Sequence, residues 1–211
     1  MNKIPKTVSR RLSLYQRCLK NLILQGKKNI SSKELAEKLG FKSSQVRKDL
    51  SYFGAFGKRG VGYDTNYLLK MIERILGVNK SWCVVVIGAG NLGHALINYE
   101  ILKKNGFYIV GIFDIDPKKI GKKIGELTII NMKDFKEFVK KSKVEIAVIA
   151  VPPSSAQQVA DTIVESGIKG IVNFSPVIIN VPQGIIVEEI DISIPFKNLT
   201  FKLTSNGFRG A

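Results

Sequence analysis

The chain has 211 residues, 45% hydrophobic and 24% charged, with a formal net charge of +16. That is enough to bury a core in one or two domains, and no apolar run approaches the ~20 residues needed to span a bilayer. The lysine-bearing N-terminus has no apolar stretch of the signal-peptide kind, so a cytoplasmic protein with no membrane partner is expected. Cys18 and Cys83 fall on apolar faces without CxxC spacing and are expected as buried packing thiols.

The placement of the charge is informative. Residues 1–81 carry 18 Lys and Arg against 5 Asp and Glu, net +13, whereas residues 82–211 carry 15 against 12, net +3. A polyanion is expected to meet the first part and not the second.

After Pro5, the residues Leu12, Tyr15, Cys18, Leu19, Leu22 and Ile23 recur at helical spacing until Gly26. Ser31 and Glu34 form a capping box for a short helix that buries Leu35, Ala36 and Leu39 and ends at Gly40. Ser43 or Ser44 is expected to cap the next helix, with Val46, Leu50 and Phe53 inward and Gln45, Arg47, Lys48 and Ser51 outward. Two short helices around a tight turn, behind a longer support helix, describe a helix-turn-helix. Arg and Lys near the start of its second helix reach guanine edges or phosphates, and Gln45 can read adenine. A generic helical hairpin has the same periodicity. The glycine-rich stretch 54–63, with Lys58 and Arg59 at its tip, has the composition of a β-hairpin wing that enters a minor groove or clamps phosphates. Asp64 or Thr65 then caps a helix whose Leu68, Leu69, Met71, Ile72, Ile75 and Leu76 are too apolar for an isolated linker. It is expected to pack on both domains.

The stretch from Trp82 to Asp114 organises the remainder. An apolar run (Val84, Val85, Val86, Ile87) leads into Gly88, Ala89, Gly90, Asn91, Leu92 and Gly93, then a helical stripe of Leu92, Ala95, Leu96, Tyr99 and Leu102. A second apolar run ends on Asp114, about 20 residues after the last glycine. This is the strand, turn, helix, strand and acid of a dinucleotide-binding βαβ unit. Asp114 favours NAD(H) over NADP(H), because a 2′-phosphate would face a carboxylate. Lys118 and Lys119 are expected past the ribose, toward the adenine side or solvent.

Further apolar runs at 127–130, 144–151, 171–174 and 185–187 alternate with helical segments around Phe135 and Val159, the second capped by Ser154 or Ser155. The expected fold class is α/β: an N-terminal winged helix-turn-helix domain (residues 1–80), a Rossmann-like doubly wound parallel sheet (81–190), and a C-terminal helix and tail (191–211). Ligands lie at the carboxyl ends of such strands, which puts 88–93, Asp114, Val151-Pro152 and Asn173-Phe174 on one rim. In the C-terminal helix Ile192, Phe196, Leu199 and Leu203 share a face that needs a surface to cover.

The run Gln45-Val46-Arg47-Lys48-Asp49-Leu50-Ser51-Tyr52-Phe53-Gly54, continuing to Gly57-Lys58-Arg59-Gly60-Val61-Gly62-Tyr63, strongly resembles the Rex family of redox-sensing transcriptional repressors. Trp82, the glycine turn with Ala95, Leu96 and Tyr99, Phe113-Asp114, Ala156-Gln157 and the stretch 170–177 match in order. Ser13 stands where relatives often have proline, and the match loosens after Asp191. The resemblance implies a homodimer whose winged helices bind an inverted-repeat operator and are released when NADH binds, with NAD⁺ competing weakly or permitting DNA binding. It implies DNA contacts from Ser44, Gln45, Arg47, Lys48 and Tyr52 and from Lys58, Arg59 and Gly60 of the wing. Cofactor contacts would come from the glycine turn, Asp114, Val151, Pro152, Asn173 and Tyr99. Arg17, Tyr99 and Asp191 would couple redox state to domain rotation, and the C-terminal helix would swap onto the partner subunit.

The rival is an NAD-dependent dehydrogenase. It needs a substrate domain and a proton donor or acceptor beside the nicotinamide. About 20 residues follow the last strand, and the sole histidine, His94, follows the glycine turn, where packing near the pyrophosphate suits it better than catalysis. No metal-ligand spacing appears, so neither a catalytic nor a metal site is expected. A third class, a constitutive DNA-binding protein with a vestigial nucleotide fold, would keep the basic domain and ignore the cofactor.

Overall fold

A computed structural model describes residues 4–58 and 60–205, apart from the side chains of Lys6 and Ser205. The chain divides into two compact units, Met1–Lys80 and Ser81–Ala211.

In the first unit, α1 (Lys6–Leu24) buries Val8, Leu12, Tyr15, Leu19 and Leu22 at helical spacing. The short strand β1 (Asn29–Ile30) leads into α2 (Ser32–Leu39), whose capping box forms as expected, and Gly40 ends it in the left-handed region. Helix α3 (Ser43–Ser51) follows, and neither Ser43 nor Ser44 caps it. The cap position falls one residue earlier, on Lys42, which makes no side-chain capping bond. Strand β2 (Tyr63–Asp64) pairs antiparallel with β1. Between α3 and β2 the wing closes through reciprocal backbone bonds between Lys58 and Gly62, each 3.0 Å. Gly62 has φ +89°, and a Cβ there would sit 2.6 Å from the Ile30 carbonyl, so only glycine lets the wing return against β1. Asp64 caps α4 (Thr65–Leu76), which packs Leu68 and Ile72 into the same core as α1.

In the second unit, β3 (Trp82–Ile87), β4 (Phe107–Asp114), β6 (Leu127–Asn131), β7 (Ile146–Ile149), β8 (Gly170–Asn173) and β9 (Ile186–Glu189) run parallel, and β5 (Lys123–Ile124) adds an antiparallel edge. The order is β5-β6-β4-β3-β7-β8-β9, doubly wound as expected. Alternate residues of β3 enter different cores. Val85 and Ile87 pack with Phe135, Val139, Ala156, Ala160 and Ile163 from α7 (Phe135–Ser142) and α8 (Pro153–Glu165). Val84 and Val86 pack with Leu96 and Ile97 of α5 (Asn91–Ile97).

Two expectations change here. The helix after the glycine turn is not continuous: α5 ends at Ile97, and α6 (Glu100–Lys104) restarts after Tyr99. The His94 carbonyl accepts both the backbone N–H and the side-chain amide of Asn98, and the Tyr99 N–H turns to the Leu96 carbonyl, which ends the helix. Ala95 and Tyr99 are exposed rather than on a buried stripe. Ser154 and Ser155 do not cap α8, because Pro152 takes the cap position and Pro153 begins the helix. The last described element is α9 (Ser193–Ser205); its Phe196, Leu199 and Leu203, and Ile192 just before it, are all more than half exposed within this unit.

Candidate functional site: a dinucleotide cleft and a basic winged helix

Strand β3 lies between β4 and β7, where the winding of the sheet reverses, and Ile87 pairs in register with Phe113 on one side and Ile149 on the other. The loops leaving these three strands therefore open a crevice at their carboxyl ends. The result is a cleft of about 690 Å3. Gly88, Gly90, Asn91, Leu92, Asp114, Val151 and Pro152 line it, with Lys119, Met132 and residues of α8.

The glycines have separate tasks. Gly88 adopts φ +108°, and a Cβ there would collide with the Ala150 carbonyl. A Cβ on Gly93 would collide with the Gly88 carbonyl, so the helix approaches the strand only without a side chain. Gly90 has open space before it. The first turn of α5 leaves backbone N–H groups without helical acceptors at the cleft, a surface suited to a pyrophosphate.

Asp114 is 8% exposed. Its Oδ2 accepts from the Ala89 N–H (2.8 Å) and Lys119 Nζ (3.0 Å), and its Oδ1 accepts from the Asp116 N–H (2.9 Å). Burial pushes its pKa up, but the bonds from Asp116, Lys119 and Ala89 outweigh burial and hold the carboxyl below its ordinary value. Lys119, expected to approach the adenine side or solvent, instead rests its ammonium on Asp114 and lines the cleft.

Other expected cofactor residues are placed elsewhere. Asn173 is fully buried and does not line the cleft. Its amide donates to the Val177 carbonyl (2.8 Å) and Glu189 Oε2 (2.7 Å), and its Oδ1 accepts from the Ser175 N–H (2.9 Å), so its polar groups brace the loop after β8. Ala89 and Gly93 are buried behind the cleft, and Tyr99 is 51% exposed away from its lining. His94 is exposed and also outside the lining. Asp191 accepts from the Ser193 N–H and lies 3.7 Å from Lys197, while Arg17 is exposed on α1. Cys18 and Cys83 are half-buried free thiols, less enclosed than expected, and burial pushes the Cys18 thiol up.

In the first unit, Ser44, Arg47 and Lys48 of α3 and Lys58 and Gly60 of the wing are exposed; Arg59 lies outside the described residues. A concave surface of about 720 Å3 between α3 and the wing is lined by Ser31, Ser32, Arg47, Ser51 and Lys58 among others. The Arg47 guanidinium donates to Ser32 Oγ at 3.2 Å. Tyr52 is half-buried against the core rather than free on the surface. Gln45, expected outward, is also half-buried, its amide nitrogen bonded to Asp49. Apolar spacing does not single out Asp49, a fully buried carboxylate held by Arg11, Tyr15 and Gln45. Its trace in the sequence is an acid at i+4 from Gln45.

The fold and the two surfaces define a dinucleotide-binding domain joined to a winged helix of the DNA-binding type. A family model described as "CoA binding domain" matches residues 79–177, and one described as "Putative DNA-binding protein N-terminus" matches residues 3–51. The redox-sensing transcriptional repressor Rex of Thermosipho africanus (strain TCF52B) is 55% identical over 97% of this chain and 98% of its own length. Redox-sensing transcriptional repressor Rex 1 of Thermotoga maritima is 52% identical over 95% of this chain and 96% of its own. Among solved structures, RSP in complex with β-NAD⁺ and operator DNA superposes with a TM-score of 0.93 at 38% identity, covering 99% of this chain and 96% of that one. RSP in complex with β-NADH gives 0.90 at 36% identity, covering 99% and 98%. The chain belongs to the Rex family of redox-sensing transcriptional repressors.

Proposed function

We propose that the protein represses transcription by binding inverted-repeat operator DNA as a homodimer, and that NADH, taken up in the cleft at the ends of β3, β4 and β7, releases it. The observation that carries this is the pairing, in one chain, of a dinucleotide cleft with a winged helix exposing Arg47, Lys48 and Lys58. RSP, similar over nearly its whole length, is seen both with NAD⁺ and operator DNA and with NADH.

Gly88, Gly90, Asn91 and Leu92 would meet the pyrophosphate, and Asp114 the adenosine ribose, with Val151 and Pro152 walling the opposite side. Ala89 and Gly93 shape the turn from behind. Ser44, Gln45, Arg47, Lys48, Lys58, Arg59 and Gly60 would face DNA, and Tyr52 would support the helix that carries them. Asn173 acts in this reading by bracing the rim. Arg17, Tyr99 and Asp191 would exchange partners as the domains move, Asp191 pairing with Arg17 in one state and with Tyr99 in the other. The apolar side chains of α9, uncovered within their own unit, support its insertion against a partner subunit. A regulator acting on cytoplasmic DNA fits the pairing of a dinucleotide cleft with a basic winged helix better than an enzyme does.

The ionised Asp114 supports NAD(H) over NADP(H), and the adjoining Lys119 limits the margin. Calorimetric titration with NADH, NAD⁺, NADPH and coenzyme A tests the assignment. NADH is expected to bind tightest and coenzyme A not at all; tighter binding of coenzyme A or NADPH would overturn it.

A further inference from the structure

Asp49 is 0% exposed in the last turn of α3, an unexpected place for a carboxylate on an element proposed to meet a polyanion. A buried charge persists only where it is paired and fully hydrogen-bonded. Here Oδ2 accepts from Arg11 Nε and from the Tyr15 hydroxyl at 2.7 Å. The other oxygen, Oδ1, accepts from Arg11 Nη2 at 2.7 Å and from Gln45 Nε2 at 2.8 Å. Arg11 and Tyr15 tie the carboxylate to α1, and Gln45, one turn earlier on α3 itself, is its third partner.

An ionised carboxylate only accepts hydrogen bonds. The Gln45 amide must therefore turn its nitrogen toward Asp49. Its carbonyl Oε1 has no partner among the described residues, and one of the two amide N–H groups remains to be donated. Gln45 is the third residue of α3, in the N-terminal part from which recognition helices contact base edges.

We propose that Asp49 is a positioning residue for base recognition: it fixes the polarity of the Gln45 amide, so that Gln45 offers an acceptor with a donor beside it. That pair matches adenine, whose N6 amino group donates and whose N7 accepts; cytosine, with its N4 amino donor alone, is the weaker match. Guanine presents two acceptors and is rejected. The inference rests on the reading of the first unit as a DNA-binding domain.

The test is selection from a random-sequence duplex pool by the full chain, read by sequencing. Wild type is expected to favour adenine about 10-fold over guanine at one position of each half-site. Gln45→Ala flattens that position alone. Asp49→Asn broadens it to admit guanine or thymine, because an asparagine can meet Gln45 with either face of its own amide. Tyr15→Phe, which removes only a bond to Oδ2, lowers the Tm and leaves every preference intact.

The proposal is overturned if Asp49→Asn keeps the wild-type preference throughout, or if all positions flatten together as a purely structural role would require. A wild type that selects no duplex overturns it along with the DNA-binding reading. Should Asp49→Asn fail to fold, hydrogen exchange in the wild type decides. The Gln45 side-chain amide is expected to exchange at least 10-fold more slowly than that of exposed Gln25, and equal rates contradict the pin.

Discussion

Asp114 ends its strand with three donors already on its two oxygens, so the ribose hydroxyl proposed to meet it would take a remaining lone pair or compete with Lys119. Asp114→Ala is expected to weaken NADH binding at least 10-fold, since a hydrogen bond to a charged group contributes ~1.5–3 kcal/mol. Calorimetry measures that loss, and gel shifts without nucleotide should show unchanged DNA affinity. Lys119→Ala removes the cation nearest the ribose acid, and the ratio of NADPH to NADH dissociation constants should rise; an unchanged ratio would mean Lys119 has no part in discrimination. Asp49 adds a pH dependence. Burial pushes its pKa up, yet the bonds from Arg11, Tyr15 and Gln45 prevail and hold it below the ordinary value. A carboxyl depressed by folding contributes stability that is full above its unfolded pKa of ~3.9 and is lost as pH falls through the folded value. Urea titrations should show stability of the first unit falling with pH below about 4, and more shallowly in Asp49→Asn. A stability that rises in acid would contradict the pairing.

At the scale of elements, legibility in the sequence followed how local the determining interaction is. The box at Ser31 and Glu34 was readable because both partners lie within one turn. Lys27 and the Ser31 N–H hold the Glu34 carboxyl down at about 2, and the Ser31 hydroxyl accepts from the Glu34 N–H. Ser31→Ala should cost about 1 kcal/mol in urea unfolding. The serines at 43, 44, 154 and 155 have the same chemistry, but their helices begin one or two residues earlier, on Lys42 and Pro152, leaving them inside the first turn. The parallel, doubly wound sheet and a ligand rim at the carboxyl ends of its strands followed from alternating strands and helices; the strand order did not. Nor did the break after Asn98, because apolar spacing continues across it while the Tyr99 N–H turns to the Leu96 carbonyl instead of the one four residues back. Lys119 on Asp114 and Gln45 on Asp49 were hidden for a different reason. Each depends on how a long side chain turns once its backbone is placed, and residue spacing carries no signal for that.

At the scale of the whole molecule, α9 carries Phe196, Leu199, Phe201 and Leu203 at 56–71% exposure. Apolar area of that kind calls for a covering partner. Phe196→Asp is expected to shift the protein from dimer to monomer in light scattering and to weaken operator binding, because two half-sites are then read independently; a dimer that persists would place the interface elsewhere. If DNA is bound through the basic residues proposed above, operator binding should weaken as salt rises, with a slope of ~0.9 per phosphate contact. The measurement closest to the central claim is anisotropy of a labelled inverted-repeat duplex carrying bound protein, titrated with NADH at fixed NAD⁺. The protein should leave the duplex as NADH is added and stay on it with NAD⁺ alone. DNA binding indifferent to NADH would contradict the account and leave a constitutive DNA-binding protein.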